Sequence, residues 1–579
     1  MKTRLLLFGI LIIAVLLRFL FLDKVPTGIF NDELTYLLVS KSIVLTGRDI
    51  TGLWSPLSVF FFHYPQGALQ TGLIQAELPY LLFLPAIGIF GLTMFGVHVT
   101  NAVAGVCLVI VIYLLTKKLF DKNVALIAAF FTAINPWFIV SSRTSYESIY
   151  AVLFYLLGIY ILFIAKRWYI LLSFPVFLLA FYSYIGTKLI FLPLIFFSCL
   201  YVYLVTNHKK YLLQYIILNL AAVVLIVLFL FAQVHSSTRL SEVLTINNPV
   251  ISQQVDAIRK TSVANPFIPV FTNKATIFMT ILITKTFKIF SFDYLFVSGD
   301  SFFAMWRHGL FYVIDAIFLL IGFASMYVKR KKIFWWFFAL IGISILPQLF
   351  YSASVDNFTP HIAFLIPLFL IIMAFGLWQV LTLSIIKKYR NYFMAAIVFI
   401  YLIFTLNFFV MYIFQNSMVG NFYDFPSRTL SLYLQGIQSK SGKVIVYTGS
   451  PQILFRKYLF YSDGLTISSI NTVRKEIAAG SRTFSLNNVQ FQYCPDVMIP
   501  LQKGVTVIYD VGCNLNQNDN NHLNVVQLPD DGPVYKIYND SLCSDFSLHR
   551  FPSNIDLSYF APEKYSTKDF CEKYILKVK

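Results

Sequence analysis

Charge is what this chain has least of. Only 12% of its 579 residues are Asp, Glu, Lys or Arg, against roughly 25% in an ordinary soluble protein. Acids are the scarcer sign, 27 against 45 Lys and Arg, and cysteine is sparse, six in all. No zinc finger, RNP motif or P-loop occurs, and the cations form no single basic stripe, so nucleic-acid binding has no support. What fills the chain is apolar: 58% is hydrophobic, with 60 Phe. Many windows reach the roughly 20 apolar residues that cross a bilayer. The sequence is that of a polytopic α-helical membrane protein. Its start, "MKTRLLLFGILIIAVLLRFLFLDK", lacks a small-x-small cleavage site and its apolar run is too long for a signal peptide. It reads as an uncleaved first span.

Eleven spans are expected, near residues 4–22, 97–116, 123–140, 148–165, 169–187, 189–206, 212–232, 309–328, 333–351, 361–383 and 392–414. Between alternate spans lie "TKKLFDK", "AKRW", "NHKK", "VKRKK" and "KKYR". With Lys2 and Arg4 these hold sixteen Lys and Arg against one acid, Asp121. Short loops of this kind obey the positive-inside rule. All fall on the cytoplasmic side if the apolar stretches 73–92 and 276–297 do not cross. The first contains Glu77, Pro79 and Pro85, the second Lys285, Lys288 and Asp293. Ionised groups and broken backbone are costly in lipid, so both read as interfacial or re-entrant. A thirteen-span arrangement, with both crossing, is the alternative.

This parity divides the chain into a transmembrane domain, 1–414, and an extracytoplasmic soluble domain, 415–579. Cysteine agrees with it. Cys107 and Cys199 fall within spans, whereas Cys494, Cys513, Cys543 and Cys571 all lie in the tail. An even number there suits two disulfides in an oxidising compartment, with three pairings open. In the tail "KVIVYTG", "GVTVIYDVG" and "GPVYKIYND" read as strands and "PQILFRKYLFY" as a helix, hence an α/β domain.

The chemically varied residues gather outside. The first external loop, 23–96, holds Asp32, Glu33, Lys41, Arg48, Asp49, His63 and Glu77. Later loops add Arg143 and Glu147, Tyr184 and Lys188, Asp300, Arg307 and His308, then Asp356 and His361. Asn31 and Asp32 are expected to cap an interfacial helix, 33–45, that stops near Gly47. Leu34, Leu37, Leu38 and Leu45 would be its lipid-facing stripe. Capping alone explains the acid pair structurally, yet a cap also holds a carboxylate rigidly at the membrane surface. Arg18, near the external end of the first span, reads as structural.

Several pieces in order carry a resemblance: "PTGIFNDELTY", "TGRDITG", "IFGLTMFGVHVTNAVAG", "NPWFIVSSRTSYES", "YSYIGTK", "GDSFFAMWRHG" and "PHIAFLIP". Over roughly residues 5–380 the chain is similar to the GT-C glycosyltransferases, in particular the protein O-mannosyltransferase and ArnT-like branch. The resemblance implies the GT-C fold and transfer of a sugar, with inversion, from a polyprenyl-phosphate donor to a hydroxyl acceptor outside the cytoplasm. It implies Asp32 as base or acceptor-orienting group, Glu33 as its partner, Arg143 on the donor phosphate and Glu147 as the second-loop acid. The family often has Arg where this chain has His98, near Lys188, and at Phe364. A neutral imidazole is a poorer anion partner than Arg.

The chemistry points the same way. An acceptor hydroxyl must lose its proton, a role for a carboxylate. A lipid phosphate leaves, and its charge calls for fixed cations. Arg143, Lys188, Arg307, His308 and His98 are the candidates. For each one alone, snorkelling or a structural ion pair is the blander explanation. No spaced ligand cluster calls for a metal and no motif names a cofactor; since some GT-C relatives use a divalent ion, a divalent metal stays open. The rival function is a polytopic transporter or lipid flippase of envelope glycan precursors. Transporters place ionisable or broken segments near the midplane. Here Asp315 and Arg18, nearly the only charges inside spans, sit towards the external ends. The sugar and the acceptor, whether protein, lipid or glycan, are not legible.

Overall fold

The structure, a computed structural model, describes residues 2–52, 76–205, 209–236, 249–304, 307–350, 356–415, 425–478, 482–497, 502–513, 522–526, 533–546 and 555–577. His63 and residues 73–75 of the first apolar stretch lie outside them. Among the described residues six helical segments are long and apolar enough to cross a membrane: Met94–Leu119, Gly186–Val205, Leu212–Phe231, Lys274–Val297, Lys331–Phe350 and Arg390–Gln415. Helices Lys122–Ile134 and Pro136–Arg143, bent by 55°, make a seventh if they count as one span. Four apolar helices are shorter: Pro79–Phe90, Ser148–Ile164, Arg167–Ser183 and Leu365–Leu381.

Two of these segments bear on the expected topology. Pro79–Phe90 has 12 residues, which at 1.5 Å each gives about 18 Å, short of a bilayer core. Lys274–Val297 was expected not to cross, yet it is helical and long enough to do so. Asn273 caps its start by accepting from Ala275 and Thr276 N–H. Lys285 is buried and donates to the carbonyls of Gln348 at 3.2 Å and Leu349 at 3.4 Å, so its charge does not break the helix.

The chain packs as two units. One comprises Met1–Leu20, Gln75–Leu78 and Asn101–Phe409; the other comprises Phe21–Ile74, Pro79–Thr100 and Val410–Lys579. In the first, α1 (Lys2–Phe19) lies against α5 (Lys122–Ile134), Ala14 of the one clustering with Ala125, Ala129 and Ala133 of the other. Small residues let membrane helices approach closely. The same device joins helices Asp315–Lys329 and Leu365–Leu381. A Cβ on Gly322 would stand 2.2 Å from the Ile372 carbonyl oxygen, and one on Gly376 2.1 Å from that of Phe318.

The second unit is built on a seven-stranded sheet in the order β2-β3-β1-β4-β6-β5-β7. Its strands are β1 (Lys443–Thr448), β2 (Thr483–Leu486), β3 (Val489–Tyr493), β4 (Val505–Asp510), β5 (Leu523–Val526), β6 (Pro533–Tyr538) and β7 (Ile575–Lys577). β1 runs parallel to β3 and β4, and the other pairings are antiparallel. The three strands and the helix Pro451–Tyr461 expected from sequence are present; β2, β3, β5 and β7 are additional. The cysteines pair Cys494–Cys513 and Cys543–Cys571. The first disulfide ties the ends of β3 and β4 on either side of β1.

α2 (Asn31–Thr46) belongs to this unit and packs on α3 (Pro79–Phe90) and on helix Pro451–Tyr461. Leu34, Leu37 and Leu38 are therefore buried rather than lipid-facing. Protein, not bilayer, covers that stripe.

Candidate functional site

α2 carries the acid pair. Two acids in its first turn suit the positive end of the helix dipole, and Gly47, at φ 70, ends it by donating its N–H to Ile43 O. The cap falls on Phe30, whose backbone is extended at φ −66 and ψ 155, rather than on Asn31 or Asp32. Glu33 reaches back and accepts the Phe30 N–H at 2.9 Å, the acidic half of a capping box. Glu33 is 1% exposed and Asp32 half-buried. The acid that braces the helix is thus Glu33.

The chain just upstream is clamped by the tail. The Tyr461 hydroxyl accepts Ile29 N–H at 3.0 Å. Arg428 donates to Thr27 O at 2.8 Å and to Glu563 at 2.7 Å. Burial pushes the Tyr461 phenol up, opposed by the Arg428 charge and reinforced by Glu33. Past the helix, Arg474 donates to Thr46 Oγ1 at 2.8 Å and Asp49 O at 3.1 Å, and Asp49 is buried on Thr51. Lys41 meets Asp463 at 3.2 Å. Sequence reading missed Tyr461, Arg428 and Arg474 entirely. Nothing local marks a partner some four hundred residues away.

In the other unit, "NP" explains Arg143. Asn135 accepts the Phe138 N–H at 3.0 Å and Pro136 follows at the first helical position, so α5 stops and α6 (Pro136–Arg143) begins at an angle. Arg143, last in α6, is fully buried and donates to Leu17 O at 3.2 Å and Arg18 O at 3.1 Å. Those are orphan carbonyls at the end of α1. Arg18 does the like for α5, reaching Thr132 O at 3.2 Å and Ala133 O at 2.9 Å. Gly105 leaves the room, since a Cβ there would meet Arg18 Nε at 2.7 Å.

Lys188 is 6% exposed and forms a two-pronged ion pair with buried Glu77, 2.6 and 2.9 Å. The Phe181 and Phe229 rings lie 4.9 and 4.7 Å from its ammonium. Glu147 is buried at the start of α7 (Ser148–Ile164). His98 is buried in α4 (Met94–Leu119). Arg307 is exposed. His308 beside it is buried, with Nδ1 3.0 Å from Gly309 O and its ring edge-on to Phe408. Burial pushes His308 down to about 4, so it is neutral at pH 7. Asp300 is buried and accepts from Phe303 N at 2.6 Å, Ala304 N at 3.0 Å and Thr359 N at 3.2 Å. Burial raises its pKa and those hydrogen bonds oppose the rise. It ties residues 300–304 to Thr359. Among the described residues no three His, Cys, Asp or Glu side chains gather as a metal would need.

Asp32, Glu33 and His98 therefore sit in one unit, and Arg143, Glu147, Lys188, Arg307 and His308 in the other. Residues 79–235 match the family model of dolichyl-phosphate-mannose-protein mannosyltransferase. Over this stretch the chain is similar to the GT-C glycosyltransferases. The GT-C match contains His98, Arg143, Glu147 and Lys188, and is narrower than the resemblance read over 5–380; Asp32 and Arg307 fall outside it. No curated protein sequence matches the chain. Among solved structures it is similar to the oligosaccharyltransferase AglB from Archaeoglobus fulgidus in complex with an inhibitory peptide and dolichol-phosphate. The identity is 14% and the TM-score 0.46, over 88% of this chain and 69% of that one. It is also similar to ArnT from Cupriavidus metallidurans bound to undecaprenyl phosphate, at 12% identity and TM-score 0.46, over 92% of this chain and 98% of that one. A likeness at this level fixes neither a residue nor a reaction.

Proposed function

We propose that this chain is a multi-pass cell-membrane glycosyltransferase that moves a sugar from a polyprenyl-phosphate donor to a hydroxyl acceptor, with its reacting groups and its tail outside the cytoplasm. The observation that carries the reading is the match of residues 79–235 to the mannosyltransferase family. Asp32 is the base that takes the acceptor proton as the anomeric carbon is attacked, with inversion, from the face opposite the leaving phosphate. Its support is position: half-buried, in the first turn of a helix whose start Glu33, Tyr461 and Arg428 hold fixed. A rigid carboxylate at a helix N-terminus suits a base that must meet one hydroxyl in one pose. Arg307, exposed on its loop, is the cation assigned to the leaving phosphate, with His308 shaping the loop beneath it. Arg143 and Lys188, already engaged by carbonyls and by Glu77, act by positioning; Glu147 and His98 are further candidates, each within its own unit.

Mass analysis of envelope glycans and glycoproteins from a strain lacking this gene tests the reading. Loss of one sugar from one class of acceptor is expected, together with accumulation of its polyprenyl-linked form. The same loss with the polyprenyl-linked sugar trapped on the cytoplasmic face would instead make the protein a flippase, and an unchanged glycan profile would overturn both readings.

A further inference from the structure

Between α9 (Phe191–Val205) and α10 (Leu212–Ser236) runs a groove of about 410 Å³, lined among others by Phe196, Cys199, Tyr215, Ile216, Asn219 and Leu220. Both helices lie in segments apolar enough to span a membrane, so its apolar walls suit an acyl chain. Asn219 donates its amide N–H to the Tyr215 carbonyl at 2.8 Å, yet two oxygens on this wall are left over. The Tyr215 hydroxyl and the Asn219 side-chain oxygen are buried with no hydrogen-bond partner among the described residues, and Tyr215 is only 3% exposed. An unmet polar group facing hydrocarbon is costly, so the natural occupant carries an acceptor for the phenol and a donor for the amide oxygen. At 1.5 Å per residue, Tyr215 and Asn219 stand roughly 5 and 10 Å along α10 from Leu212.

The surrounding charge selects the headgroup. Lys209 and Lys210 immediately precede α10, and Lys210 is exposed. Arg330 interacts electrostatically with Tyr201 on α9. No Asp or Glu occurs between Glu147 and Glu242. We infer that this groove binds one anionic glycerophospholipid of the surrounding bilayer, a chain along Leu220 and Ile216, an ester carbonyl on Tyr215, a hydroxyl on Asn219 and the phosphate near Lys210. The groove shares no residue with the candidate functional site, so the inference stands apart from the proposed reaction.

Native mass spectrometry of the full-length protein, released from nanodiscs of equal phosphatidylglycerol and phosphatidylcholine, tests it. One retained phosphatidylglycerol is expected, favoured about tenfold over phosphatidylcholine. Tyr215→Phe with Asn219→Leu should lower that adduct at least about threefold, the loss of one or two net hydrogen bonds. Lys210→Gln, on an exposed side chain that the fold does not need, should lower the phosphatidylglycerol preference, and decides the matter should the double variant not fold. Equal retention of both lipids, or an adduct indifferent to every variant, overturns the inference.

Discussion

At the level of single residues the acid pair divides its labour. Glu33 holds the helix start through the Phe30 N–H, and its neighbour Asp32 is the proposed base. Asp32→Asn keeps the size and removes the proton acceptor, so transfer from a lipid-linked donor in reconstituted vesicles should fall about 10² to 10⁴-fold with donor binding intact. Glu33→Gln can still accept the Phe30 N–H and should cost far less. Near-normal transfer by the Asp32 variant would pass the base role to Glu147. The Lys188–Glu77 pair makes a different kind of claim. Lys188→Ala strands a buried carboxylate and should destabilise by about 3–5 kcal/mol, whereas replacing both partners with apolar residues should restore most of it. Thermal unfolding in detergent separates the two outcomes. His308 adds a pH dependence. Its folded pKa is lowered, from 6.5 to about 4. Stability from the neutral ring is therefore fully present above about pH 6.5 and lost as pH falls towards 4. His308→Gln should flatten the melting temperature across that window.

At the level of elements, α2 is held by a clamp built from the tail. Tyr461→Phe removes the acceptor for Ile29 N–H, and an unmet backbone donor costs about 1–3 kcal/mol. The expected result is faster hydrogen exchange at residues 28–33 and lower turnover, with the sheet of β1–β7 as protected as before. Unchanged exchange there would mean that the helix start holds itself. The two disulfides belong to this scale as well. Both should resist alkylation until reduced. Their loss should destabilise the tail by about 2–5 kcal/mol each.

For the whole molecule the open quantity is parity. The basic loops "NHKK" and "VKRKK" lie on one side only if an even number of crossings separates them. A crossing by Lys274–Val297 in addition to the eleven expected spans would send "VKRKK" outside, against the positive-inside rule. Single cysteines introduced at residues 260 and 302 are expected to react with a membrane-impermeant reagent from the same, outer side, as are positions beyond 425. Labelling of 260 and 302 from opposite sides would establish the crossing and reverse the assignment for everything that follows it.

Composition and hydropathy decided the membrane class, because crossing a bilayer is a local demand on about twenty consecutive residues. Capping chemistry is local too, so Gly47 and the "NP" at Asn135 are legible as stops, but the 55° break that the "NP" makes within the expected span 123–140 is seen only in the fold. The two strands flanking Gly442 and Gly504 announced themselves by Val and Ile runs. What no local pattern holds is partnership across sequence. That Arg143 meets the carbonyls of Leu17 and Arg18, that Lys188 meets Glu77, and that Tyr461 and Arg428 grip the chain before Asp32 became evident only in the folded molecule. Cysteine pairing is of the same kind: four thiols admit three pairings, and only the placement of β3 and β4 on either side of β1 chose Cys494 with Cys513. Burial is likewise a tertiary quantity, which is why leucines on α2 that a helical wheel assigns to lipid end against protein instead.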